Sequence, residues 1–127
     1  MPILPGTSAL KTWTGEYDFT TQGGAQSTIV LRSTDGPIPS GSVIYGGYVD
    51  VEIAAASATG TMALQAEAAG DIVATVGQAS WTLGRKSIIP AGTGAASVKT
   101  TADRNPSVVI ATAAFTAGKY KLVLFYR

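Results

Sequence analysis

The sequence predicts an all-β fold, an antiparallel β-sandwich of jelly-roll type with about eight short strands, and three observations predict it. Short runs rich in β-branched and aromatic residues recur along the 127 residues, spaced roughly 8–15 residues apart as sandwich strands are. Clusters of Gly, Pro, Ser, Thr and Ala separate them, with 15 glycines and 6 prolines in the chain, and such clusters mark turns. No stretch combines a helical apolar period with caps. The length suits one domain. The expected division is an extended N-terminal arm over residues 1–12 and a single sandwich domain over 13–127.

The arm comes first. Met1 to Thr12 holds Pro2 and Pro5, scattered apolar Ile3, Leu4 and Leu10, and the single charge of Lys11. Without strand alternation it reads as an extended piece, either a loose terminus or an arm able to dock on a neighbour. Glu16–Thr21 alternates polar and aromatic residues until Gln22-Gly-Gly24 breaks it. Ser27–Arg32 follows at hairpin distance, so these two runs are expected to pair. Ser33–Ser42 is a loop. Val43–Ile53 is a long strand with Val49, Val51 and Ile53 on one face and Tyr48, Asp50 and Glu52 on the other. Gly46-Gly47 in its middle marks a bulge or a close backbone approach.

The Ala-rich run Ile53–Gly60 has no amphipathic period and no cap. It reads as a loop or strand edge despite the helix propensity of alanine. Thr61–Glu67 alternates, with Met62, Leu64 and Ala66 on one face. Ile72–Val76 and Ser97–Thr101 are shorter strands. Ser107–Thr112 and Lys119–Tyr126 carry the strongest strand signals, and the link Ala113–Gly118 reads as a hairpin turn. From Leu122 onward the closing strand is apolar on both faces, which places it centrally in a sheet or against a neighbouring subunit.

The composition excludes several functions. There is no histidine and no cysteine, which removes the usual general bases, thiolate nucleophiles and most soft-metal ligands. Nine basic against eight acidic residues give a net charge of +1. Arg85-Lys86 and Lys119/Lys121 are too sparse for the basic footprint of a nucleic-acid binder. No apolar stretch is long enough to form a membrane-spanning helix, and the N-terminus lacks a signal-peptide pattern, so no membrane partner and no Sec export are expected.

The carboxylate pairs Glu16/Asp18 and Asp50/Glu52 lie at strand spacing and read as solvent-facing positions rather than a catalytic or metal pair. Lys86 and Ser87 point to opposite faces, and nothing around Ser97 and Lys99 indicates the burial that activates a lysine. Gly92-Thr-Gly94 is a turn, not a phosphate loop. No enzymatic activity and no cofactor are expected. The aromatic residues Trp13, Tyr17, Tyr45, Tyr48 and Trp81 read as core and inter-subunit contacts, with a carbohydrate platform as the alternative. The candidate assembly contacts are Ile3, Leu4, Leu10, Trp13, Tyr45 and Tyr48.

Three segments resemble small virion proteins of tailed bacteriophages: Gly15–Ala25, Ile38–Val51 entered through a Pro-x-Gly corner, and Val98–Ile110 continuing through Ala113–Tyr126. The resemblance implies a β-sandwich capsid decoration (cement) or head-fibre-type protein, displayed as a homotrimer at three-fold or quasi-three-fold sites. It implies the major capsid protein and copies of the same chain as partners, synthesis in the host cytoplasm and a place on the outer capsid surface. A carbohydrate-binding or adhesion module on a head or tail appendage is the second expectation, and a tail or neck connector subunit the third.

Overall fold

The computed structural model describes residues 10–88, 90 and 98–127. Nine strands run in chain order: β1 (Lys11–Asp18), β2 (Thr28–Val30), β3 (Val43–Ala56), β4 (Thr61–Gln65), β5 (Val73–Gly77), β6 (Gly84–Ile88), β7 (Val98–Lys99), β8 (Ser107–Ala111) and β9 (Ala117–Tyr126). A one-turn helix, α1 (Phe19–Gln22), follows β1, and a short 3₁₀ turn, Gln78–Ser80, precedes β6. β1 takes in Lys11 and Thr12, the last two residues of the expected arm. Residues 1–9, with Ile3 and Leu4, lie outside the described residues, as do Ser97 and the Gly92–Gly94 turn.

The strands form two sheets. One has the order β1-β9-β3-β6 with β7 paired to β3; the other has the order β2-β8-β4-β5. Every pairing is antiparallel. β1 pairs β9, β2 pairs β8, β3 pairs β6 and β4 pairs β5. Nested pairing of first with last, inward to the middle, is a folded-over ribbon, and wrapping that ribbon into two layers gives a jelly roll. The expected fold class is the observed one.

The core follows the pleat. Along β1, Trp13, Gly15 and Tyr17 are buried while Thr12 and Thr14 are exposed. The Trp13 indole lies across Gly15, where a β-carbon would stand 2.2 Å from the ring, and its Nε1 donates to the Gly36 carbonyl at 2.8 Å. β9 runs centrally between β1 and β3, with Leu122 and Leu124 fully buried, as its two-sided apolar pattern predicts. From the other sheet Met62, Leu64, Val108 and Ile110 pack into the same core.

Gly46-Gly47 behaves as expected. The β3–β9 register shifts between Ile44 and Gly46, and a β-carbon on Gly47 would stand 2.0 Å from the Val123 carbonyl oxygen. Further along, register shifts on either side of Ile53 overturn the expected face. Val49 and Val51 are buried, but Ile53 is 49% exposed and Ala55 takes the inward position. β3 also runs through Ala56, so the Ala-rich run begins as strand rather than loop.

Neither expected hairpin forms as a ladder, although the first two runs do meet at one antiparallel bridge, Glu16 with Arg32. The run at Glu16–Thr21 stops at Asp18, whose carboxylate accepts from the Thr20 amide (3.0 Å) and hydroxyl (2.7 Å) and so caps α1. The chain then crosses to the other sheet, where β2 pairs β8. At the far end β8 is closed by a γ-turn: Ala113 N–H bonds back to Ala111 O across Thr112, which sits at φ +71°. The link then bonds Gly24 and Ala56 through Phe115 and Thr116 and delivers β9 to the opposite layer. β6 is a strand that the polar run Gly84–Ile88 does not advertise; its pairing with β3 makes it one.

Candidate functional site

The two outer sheet faces differ in kind. On the outer face of the five-stranded sheet, Glu16, Lys121, Asp50 and Arg85 stand opposite one another across four strands, alternating in sign. Arg32 extends the row with a 2.7 Å ion pair to Glu16. One row over, Glu52 lies between Lys119 (3.7 Å) and Lys121 (3.6 Å). Toward the other end of this face the aromatic residues collect. Tyr48 meets Phe125 with ring centroids 6.3 Å apart and carries the Arg85 guanidinium at 4.1 Å. Tyr45 carries the Arg127 guanidinium at 4.7 Å and accepts a hydrogen bond from its Nε at 3.0 Å.

The four-stranded sheet has no charged residue on any strand: Thr28–Val30, Thr61–Gln65, Val73–Gly77 and Ser107–Ala111 hold none. Its core-facing residues alternate with outward Thr28, Val30, Thr61, Ala63, Gln65, Ser107, Val109 and Ala111, all uncharged. Val30 is 55% exposed. Ten charged residues stand on the strands of the other sheet. Such a charge-free face has little to desolvate on contact, and close approach of another surface meets no unpaired charge.

The carboxylates have structural employment. Asp18 caps α1, and the Thr20 hydrogen bonds hold its carboxyl below the usual range. The Glu67 carboxyl is lowered to about 2 by hydrogen bonds from the Arg104 guanidinium, at 2.8 and 3.1 Å, and from the Thr101 hydroxyl and amide. Burial pushes the Tyr17 phenol up to about 12, with the Asp18 charge adding to it. Among the described residues no group of three or more His, Cys, Asp or Glu could hold a metal ion. No helix among them is long and apolar enough to cross a membrane.

Of the candidate assembly contacts, Leu10 is 57% exposed and Tyr45 46%, while Tyr48 is half-buried. Trp13 is core, 1% exposed. Trp81 is likewise buried at 3%. A carbohydrate platform built on the tryptophans is therefore missing, and both surface tyrosines already carry arginine on their rings. The charge-free sheet was not visible in the sequence, because its four strands are dispersed between Thr28 and Ala111; only their pairing collects them.

The nested pairing and the two-layer core define a jelly-roll protein. No protein-family model and no curated protein matches the chain. Two solved structures share its fold. One is a chain in the acid-stable capsid structure of Helicobacter pylori bacteriophage KHP30, with a TM-score of 0.62 at 15% identity over 94% of this chain and 87% of that one. The other is a chain of the cyanophage Pam1 capsid asymmetric unit, with a TM-score of 0.57 at 18% identity over 99% of this chain and 91% of that one. In both, the likeness runs nearly end to end and is a likeness of fold.

Proposed function

We propose that this chain is a non-enzymatic structural protein of a bacteriophage virion, decorating and stabilising the capsid shell as a homotrimer at three-fold or quasi-three-fold sites. The observation that carries the reading is the segregation of charge. One sheet offers a face whose strands carry no charge, suited to lie against the major capsid protein. The opposite sheet carries the charges, with Glu16 paired to Arg32 and Glu52 set between Lys119 and Lys121. The nearly whole-chain fold likeness to chains of two phage capsids supports the same class, as does the absence of histidine and cysteine. Trimerisation would multiply modest contacts into high avidity on an outer shell surface.

The test mixes purified protein with empty shells of the partner capsid protein and follows co-sedimentation. Val109→Lys and Thr75→Lys, each placing a charge on the neutral sheet, are expected to lower shell binding at least ~10-fold, since an unpaired buried charge is strongly disfavoured. Thr12→Lys on the other sheet serves as the control and should bind as the unaltered protein does. Full binding by both neutral-sheet variants would overturn this orientation. Light scattering of the free protein tests the trimer.

A further inference from the structure

The two long sides of the sandwich are finished differently. On the β1–β2 side the edges are covered. Glu16 and Arg32 exchange two backbone hydrogen bonds, Thr14 N–H donates to Asp35 Oδ2, Ser33 Oγ donates to Thr14 O, and Gln22 Nε2 donates to Val30 O. On the β5–β6 side, no such bond covers the outer edge of either strand among the described residues. Unpaired edges of this kind are templates for an added strand.

Between these two strands lies a cleft of about 190 Å³, lined among the described residues chiefly by Val49, Val73, Val76, Trp81, Lys86 and Ile88. A cavity of ~150 Å³ holds one benzene ring, so this one has room for a branched aliphatic side chain. Lys86 holds its ammonium on the Thr82 carbonyl at 2.6 Å. Trp81 is 3% exposed, yet among the described residues its indole N–H has no acceptor, and buried donors of this kind are rare in a finished structure.

We infer that this cleft receives the Ile3-Leu4 pair from the N-terminal segment of a neighbouring copy of the same chain. Residues 1–10 contain no charged side chain, and Pro2 and Pro5 bracket the two aliphatic residues and favour an extended course. That chemistry matches an apolar cleft flanked by strand edges. Five residues separate Leu4 from Leu10, six Cα–Cα steps with a reach of ~20 Å when extended. Within one molecule β1 and β6 are the opposite edges of their sheet, ~14 Å apart across three strand spacings, so length alone does not choose between a chain's own cleft and a neighbour's; the proposed self-association selects the neighbour. Each copy then gives one segment and receives one, a head-to-tail contact that closes into a ring when the rotation permits. The inference rests on the proposed self-association and specifies how it is made.

The absence of cysteine makes the test free of background. Leu4→Cys and Ser80→Cys, the latter at the rim of the cleft, are made as separate single variants, one carrying an affinity tag that changes its size. They are mixed and gently oxidised. The expected product is a mixed disulfide dimer at least ~10-fold more abundant than that of Leu4→Cys with Thr28→Cys on the covered side, since a disulfide needs β-carbons within ~4.5 Å. No excess over that control overturns the proposal. So does a disulfide that forms only within the chain of the double variant in dilute solution, which would place the segment on its own molecule. Light scattering separates the two readings. A trimer that persists after deletion of residues 2–9, with no mixed disulfide, would leave the trimer standing and remove the cleft as its cause. A full-length chain that is monomeric would overturn both.

Discussion

Trp81, Tyr120 and Tyr17 form a column of rings through the interior, with centroids 5.1 Å and then 5.3 Å apart. Their polar atoms fare differently. Tyr17 Oη donates to the Gly23 carbonyl at 2.6 Å, whereas Tyr120 Oη is buried without a partner. A buried hydroxyl left unpaired opposes folding, while a satisfied one contributes about 1 kcal/mol. Tyr120→Phe is therefore expected to leave stability unchanged or raise it by about 1 kcal/mol, and Tyr17→Phe to lower it by about 1 kcal/mol. Urea denaturation of the two variants reads the difference directly; a loss on Tyr120→Phe equal to that on Tyr17→Phe would contradict the unpaired hydroxyl.

At the scale of elements, the β4–β5 turn shows how one side chain shapes a connection. Asp71, 7% exposed, accepts from three successive backbone amides, those of Ala66, Glu67 and Ala68, at 2.8–3.0 Å. Asp71→Ala would leave three amide donors to find water at a half-buried site, and about 2–3 kcal/mol of stability should be lost. Thermal or urea unfolding checks it, and a loss under ~0.5 kcal/mol would show that water serves the turn equally well.

The same scale explains what the sequence made legible. Strands with strong alternation or two-sided apolar runs, β3, β4, β8 and β9, were readable because burial imposes the pattern directly. Pairing was not. Ser27–Arg32 sits at hairpin distance from β1 and Ala113–Gly118 looks like a tight turn, yet both links cross between layers. Local turn chemistry permits a hairpin at either place, and only the ribbon as a whole decides which strand becomes the neighbour. β6 is polar because it lies at an edge, and the exposure of Ile53 follows from register shifts that residue types do not encode. The assembly residues divide on the same ground: the exposure of Leu10 and Tyr45 and the burial of Trp13 depend on the face each strand turns inward.

On the scale of the whole molecule, Glu67 ties the β4–β5 turn to the segment Thr101–Arg104, which in turn bridges Ile38 through backbone bonds at 2.8 and 2.9 Å. Its carboxyl is held at about 2 in the folded chain against an ordinary 4.5. A lowered folded value means the unfolded chain takes up the proton first. The contribution is thus complete above about pH 4.5 and fades as the pH falls through about 2. Glu67→Gln should be less stable than the parent at neutral pH, and its stability should change less across that acid window. Unfolding curves collected between neutral pH and pH 2 decide it; parallel profiles for the two proteins would exclude Glu67 as the acid-sensitive tie.

The nested pairing also sets the order of events during synthesis. β1 bonds along its whole length to β9, with Lys11 opposite Tyr126, so the first described strand made waits for the last. Loop closure over such a separation is entropically slow, and chains dominated by distant pairings fold late and slowly. The five-stranded sheet therefore closes only once the C-terminal strand has left the ribosome. Until then β1 lacks its partner strand, and Trp13 and Tyr17, which it contributes to the core, have no completed sheet to hold them in place.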